Sequence, residues 1–180
     1  LLRSGARPGD LVVVSGAPGA AAHALQRIRA DKDTGAPQRS ALDYPEPRVG
    51  LGLSLGGLAT ACIDLSDGLA ADLGHILDQS GAGAEIELDR LPCPECLADL
   101  PEDKRWPLQL AGGDDYELCF TVPPHAGGEL ERISASCGVP LAAIGRIVSR
   151  PGLELKKKEG GRYELASAGY LHFPGQGADC

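Results

Sequence analysis

Apolar and polar positions along this chain alternate with two distinct periods, and each switch between them marks an element. The run Asp10 to Ser15, Asp-Leu-Val-Val-Val-Ser, is apolar and β-branched, is entered through Pro8-Gly9 and is left through Gly16-Ala17-Pro18-Gly19. It reads as a buried strand, with an Ala-rich helix following from about Ala20 to Ala30. Ala59 to Leu65 is small and apolar except at Thr60 and Asp64, and reads as a second buried strand. From Gly68 onward Leu69, Leu73, Ile76 and Leu77 recur at i, i+4, i+7 and i+8, the helical period, with Ser80-Gly81 as its C-cap. Ala84 to Leu88 and Tyr116 to Val122 alternate as strands, His125 to Cys137 reads as a helix and Leu141 to Ile147 as a strand. Glu159-Gly160-Gly161 between Leu153-Glu154-Leu155 and Arg162-Tyr163-Glu164-Leu165 predicts a hairpin. Residues 31 to 47 are polar and carry prolines, so they are expected to form a loop, one placed where it could cover a ligand, and Leu91 to Trp106 is expected to be loop with one short helix. Arg48 to Leu58 is ambiguous: Val49, Leu51, Leu53 and Leu55 alternate with Gly50, Gly52, Ser54 and Gly56 as in a strand, and glycines weaken a helix by about 1 kcal/mol each. Strands alternating with helices, then a late hairpin, predict an α+β fold with a mixed sheet covered by helices.

Composition narrows the class. The 180 residues, 43% hydrophobic and 23% charged, suffice for one domain with a sizeable core, and no run approaches the roughly 18 apolar residues of a membrane span. A net charge of −8 disfavours nucleic acid and anionic membranes as partners, so an anionic ligand would need a metal or a local basic group. Of six cysteines, Cys62, Cys119 and Cys137 sit in apolar runs where a thiol serves as a small hydrophobe, and the expectation is a reduced, cytoplasmic protein. Cys93-Pro94-Glu95-Cys96 has no second pair at zinc-ribbon spacing and reads as a loop coincidence before a metal or redox site. The chain contains no methionine and opens on Leu1-Leu2-Arg3-Ser4-Gly5, so the expectation is a piece of a longer protein that lacks an N-terminal domain.

Ile63-Asp64-Leu65-Ser66-Asp67-Gly68-Leu69 places two carboxylates three residues apart where a strand turns into a helix. Ser66 or Asp67 is suited to cap the helix, and a loop leading into a helix N-terminus offers backbone donors to anions. Two carboxylates in reach of one Mg²⁺ can hold it while it bridges phosphate oxygens; the bland alternative is one capping and one solvated acid. In Leu110-Ala111-Gly112-Gly113-Asp114-Asp115-Tyr116-Glu117-Leu118, two glycines and two acids invite a tight turn in which backbone approaches a ligand, or simply a turn with exposed acids entering a core strand. His75 reads as a helix-surface or packed residue before a ligand. No Ser-His-Asp or H-E-x-x-H arrangement supports a hydrolase.

Taken in order, Arg3-Ser4-Gly5-Ala6-x-Pro8-Gly9-Asp10, Ile63 to Ile76, and Gly112 to Leu118, with Gly169-Tyr170-Leu171-His172-Phe173 near the end, resemble the C-terminal domain of bacterial thiamine-monophosphate kinase. That family shares a superfamily with aminoimidazole ribonucleotide synthetase, selenophosphate synthetase and the hydrogenase-maturation dehydratase. The resemblance implies α/β/α layers, a mixed sheet with helices on both faces, and a helix at Arg48 to Leu58, which takes precedence over the local alternation. It implies ATP as co-substrate, Mg²⁺ as cofactor and an N-terminal domain holding most of the metal-binding aspartates, in a homodimeric enzyme. By position it implies Mg²⁺ ligation by Asp64 and Asp67, ATP contacts from Ser66 and Arg3, and thiamine monophosphate contacts from Asp114 and Tyr170. Position 114 is often Glu in the family. Another ATP-using synthetase of the superfamily and a non-catalytic assembly module are the competing readings.

Overall fold

The computed structural model describes residues 1–166; Tyr170 and the segment Gly169 to Phe173 lie outside them. Six strands form one sheet: β1 (Leu11–Ser15), β2 (Ala61–Asp64), β3 (Gly83–Glu87), β4 (Leu118–Val122), β5 (Leu141–Val148) and β6 (Gly152–Lys156). Their spatial order is β2-β4-β1-β5-β3-β6. Every neighbouring pair is antiparallel except β3 and β6, which run parallel, so the sheet is mixed as expected. The helices are α1 (Ala20–Arg29), α2 (Ala36–Asp43), α3 (Val49–Ser54), α4 (Leu69–Ser80), α5 (Glu102–Ala111) and α6 (Gly127–Cys137).

Strand alternation divides the apolar side chains between two cores, one on each face. On the first, Val12, Val14, Ile63, Cys119, Ala84, Ile86 and Ile144 meet Leu69, Leu73, Ile76 and Leu77 of α4 and Trp106 and Leu110 of α5. On the second, Val13, Cys62, Phe120 and Val122 meet Leu51 and Leu55 of α3 and Leu130 and Ile133 of α6. Helices therefore lie on both faces, and α1 packs outside against α2 and α5. Over β3 and β6 the second face is finished with charge. Glu85 pairs with Arg146 at 2.7 Å and Lys156 at 3.1 Å, and Glu154 with Arg162 at 3.5 Å.

Four local expectations are corrected. Residues 31 to 47 contain α2, because Pro37 falls in the first turn of that helix, where a missing N–H costs nothing. The hairpin at Leu153 to Leu165 is shorter than expected: on the edge of β6 away from β3 it keeps one bridge, Lys156 with Arg162, with Lys157 N–H donating to Gly161 O at 2.8 Å and Tyr163 N–H to Leu155 O at 2.9 Å. The segment from Leu91 to Trp106 holds a 3₁₀ turn at Glu95–Leu97 and the first half of α5. Neither Ser66 nor Asp67 caps α4: its N-cap is Gly68, with no side-chain bond of its own. Arg48 to Leu58, in contrast, is helical at Val49–Ser54 as the resemblance implied, because Leu51 and Leu55 reach the second core only at helical spacing.

Candidate functional site

Asp64 ends β2 opposite Leu118 of β4 and is exposed. Beyond it the strands part, but their backbones stay laced: Leu65 N–H donates to Glu117 O at 2.8 Å, Tyr116 N–H to Leu65 O at 2.9 Å and Asp114 N–H to Ser66 O at 3.0 Å. This close approach needs Gly113, where a Cβ would stand 2.4 Å from the Ser66 carbonyl oxygen. It also needs left-handed backbone at Asp114 (φ 67°) and Tyr116 (φ 51°), a conformation that Asp tolerates better than most residues. Asp64, Ser66, Asp67 and Asp114 are thus carried by two adjoining, hydrogen-bonded loops. Arg3 is exposed in a segment that runs beside β2, where Cys62 N–H donates to Leu2 O at 2.8 Å.

The amides at the start of α4 have an internal partner. Ser66, Asp67 and Gly68 N–H all donate to Asp72 Oδ2, at 3.0, 3.0 and 3.1 Å. They do not wait for a phosphate, which corrects the anion-site expectation. Burial pushes the Asp72 carboxyl up from its ordinary range, opposed by these amide bonds. Oxygens of Asp67 and Asp72 and a ring nitrogen of His75 lie within 4.8 Å of one another. His75 is exposed and sits one turn beyond Asp72 on the same helix.

The second loop has an inward set of acids that sequence reasoning missed. Asp115 accepts from Gly19 N–H at 2.7 Å and Ala21 N–H at 3.5 Å, tying the loop to the start of α1. Burial pushes its carboxyl up to about 7, the amides pull it down, and the charges of Glu117 and Asp114 add to the rise. Glu117, buried, receives both Nε (2.8 Å) and Nη2 (2.7 Å) of Arg48 and the Ser15 hydroxyl, while Leu118 N–H donates to that same Ser15 Oγ at 2.8 Å. The expectation of exposed acids holds for Asp114 alone. Only its polar neighbours in sequence hinted at the other two, and nothing local says which acids turn inward. Beside Asp64 a cavity of about 400 Å³ opens between Pro47, Val49, Leu118 and Tyr116.

Carboxylates dominate this loop pair, and oxygen donors of that kind suit a hard divalent cation. Asp64 and Asp67, exposed and half-buried, fit Mg²⁺ as its holders better than they fit a phosphate directly, because the adjoining amides are already engaged.

The class is that of an α+β domain, an antiparallel-rich mixed sheet between helix layers with acidic loops beyond the ends of β2 and β4. The pattern of the family described as AIR synthase related protein, C-terminal domain, matches residues 7–158, and the chain belongs to that family. Within it, the chain is similar to thiamine-monophosphate kinases. It is 43% identical to that of Salmonella typhimurium over 157 residues, 82% of this chain and 47% of the relative. The crystal structure of thiamine-monophosphate kinase from Stenotrophomonas maltophilia matches with a TM-score of 0.82 at 39% identity, over 86% of this chain and 52% of the other. AaThiL complexed with AMPPCP and TMP matches with a TM-score of 0.76 at 28% identity, over 95% of this chain and 53% of the other. The chain spans about half the length of the relatives it matches.

Proposed function

We propose that this chain is the C-terminal part of a thiamine-monophosphate kinase, which transfers the γ-phosphoryl group of ATP to thiamine monophosphate. The observation that carries the reading is the lacing of the Asp64–Gly68 loop to the Gly113–Tyr116 loop, which sets Asp114 beside Ser66 and Asp67. A phosphoacceptor and a nucleotide need that adjacency, and a ThiL relative is complexed with both AMPPCP and TMP.

A phosphate oxygen of thiamine monophosphate attacks the γ-phosphorus in line; the bond from that phosphorus to the β,γ-bridging oxygen breaks, giving thiamine diphosphate and ADP. Mg²⁺, when bound, would supply the positive charge that lets the phosphate of thiamine monophosphate approach the triphosphate of ATP. Asp64 and Asp67 hold it, Ser66 and Arg3 contact ATP, and Asp114 and Tyr170 orient thiamine monophosphate. No covalent enzyme intermediate is required. The remaining metal-binding acids belong to an N-terminal domain of the full-length protein, in a cytoplasmic homodimer; the five described cysteines, all free thiols, fit that compartment.

The test is thiamine diphosphate formation from Mg·ATP and thiamine monophosphate by the full-length protein and its Asp67→Asn variant. Wild-type product with at least a 100-fold lower kcat in the variant supports the reading. A folded wild type that makes no product removes the substrate assignment; equal turnover removes Asp67 from the metal site.

A further inference from the structure

A helix that begins at a ligand site ordinarily turns free amides toward an anion. Here all three amides of the Ser66–Gly68 loop converge on Asp72 Oδ2, within 3.0 to 3.1 Å. Asp72 is 2% exposed and its own N–H donates to Gly68 O at 2.9 Å, so loop and first turn of α4 lock each other from both sides. The loop consequently has one shape, its charge is that of Asp64, Asp67 and Asp72, and its own three amides are taken by Asp72 before any phosphate arrives.

We propose that Asp72 is a positioning residue that sets the form of nucleotide the site accepts. It holds the Ser66–Gly68 loop for metal ligation and, by occupying the loop amides with a built-in anion, admits a nucleoside triphosphate only as its divalent-metal complex. This inference rests on the kinase reading above. A bare triphosphate meets the carboxylates of Asp64 and Asp67 with only Arg3 and the Ser66 hydroxyl to offset them; the metal complex brings its own compensating charge. A residue that merely stabilised α4 would, once replaced, weaken metal-bound and metal-free nucleotide to the same degree.

The ratio of those two affinities is therefore the readout. In the full-length protein, AMPPCP binding is measured by calorimetry with excess Mg²⁺ and with EDTA, for wild type, Asp72→Asn and Asp72→Ser. Asn keeps shape and one acceptor but loses the charge; Ser frees the amides. Wild type is expected to favour the Mg²⁺ complex by more than tenfold. Both variants are expected to lower that ratio at least fivefold, with metal-free binding unchanged or tighter. An unchanged ratio, with both affinities falling together, overturns the proposal and leaves the kinase reading standing. A wild type that binds the Mg²⁺ complex yet forms no thiamine diphosphate counts against the substrate reading alone. A wild type that binds neither form overturns both. Hydrogen exchange on the unaltered chain needs no variant: the Ser66, Asp67 and Gly68 amides are expected to be as protected as those of β2. Exchange at exposed-loop rates would overturn the proposal even if the variants failed to fold.

Discussion

Asp115 is held by opposing forces, and its pH dependence shows which prevails. In an unfolded chain an Asp ionises near 3.9, whereas burial lifts Asp115 to about 7. An acid whose pKa is raised on folding is preferred protonated by the fold. Its contribution is complete below about pH 4, declines as the pH rises toward 7 and is flat beyond. Three units correspond to an upper bound of about 4 kcal/mol, with the pull of the Gly19 and Ala21 amides toward the carboxylate already inside that balance, and only part of the loss falls between pH 5 and pH 8. We expect the wild type to lose about 1–2 kcal/mol relative to Asp115→Asn between pH 5 and pH 8 in urea unfolding. Parallel stability profiles would show that the amides cancel the burial penalty. Local pattern alone did not separate Asp114 from Asp115, nor show that Glu117 beyond them is buried. What separates them is the left-handed backbone at Asp114 and Tyr116, which turns alternate side chains out and in, and such a conformation is set by the lacing to Leu65 and Ser66 rather than by local propensity. Asp72 was hidden for the same reason, since its spacing from Ser66 means nothing until the chain has turned.

Where elements meet, one ion pair joins three of them. Arg48, the N-cap of α3, reaches Glu117 at the entry to β4, and Glu117 reaches Ser15 at the end of β1. Both side chains are largely shielded, 16% and 11% exposed, so removing one leaves a charge without compensation. The two ends differ. Arg48→Met leaves Glu117 with only the Ser15 hydroxyl and is expected to cost about 3 kcal/mol, while Glu117→Gln leaves Arg48 paired with Glu46 at 2.8 Å, near solvent, and should cost about half that. The double variant should recover part of the loss; strict additivity in chemical unfolding would refute the coupling. This pair also explains why periodicity failed at Val49–Ser54. The alternation of Leu and Gly is a strand pattern, but Arg48 fixes the start of the segment, and Leu51 and Leu55 fill the second core together only as i and i+4. Elements whose apolar pattern and bounding turns are local, α4 with Gly81 or β1 between its turns, were legible. Those decided by a distant partner, such as the parallel pairing of β6 with β3, were not.

Across the whole molecule, the sheet is a shared wall between two cores, so neither can loosen alone. Val13 on one face and Val12 and Val14 on the other belong to the same five-residue strand, flanked by β4 and β5, and each is fully buried. The loops that bear Asp64, Ser66, Asp67 and Asp114 extend from β2 and β4, one edge strand and its neighbour, and inherit their placement from both cores. Cooperativity across the sheet is testable because the cores carry different reporters. Trp106, the sole tryptophan, is 4% exposed in the first core, with Tyr163 edge-on at 5.3 Å. Phe120 is fully buried in the second. Phe120→Ala should cost about 3–5 kcal/mol through lost burial and the cavity it leaves. If the sheet couples the faces, the Trp106 fluorescence transition in urea will move to lower denaturant by the full amount and stay coincident with far-ultraviolet circular dichroism. A Trp106 transition that holds its wild-type midpoint while the circular dichroism splits into two steps would mean that the second core melts by itself. In that case the loops that bear Asp64, Asp67 and Asp114, rooted in β2 and β4, would lose their support before the rest of the fold.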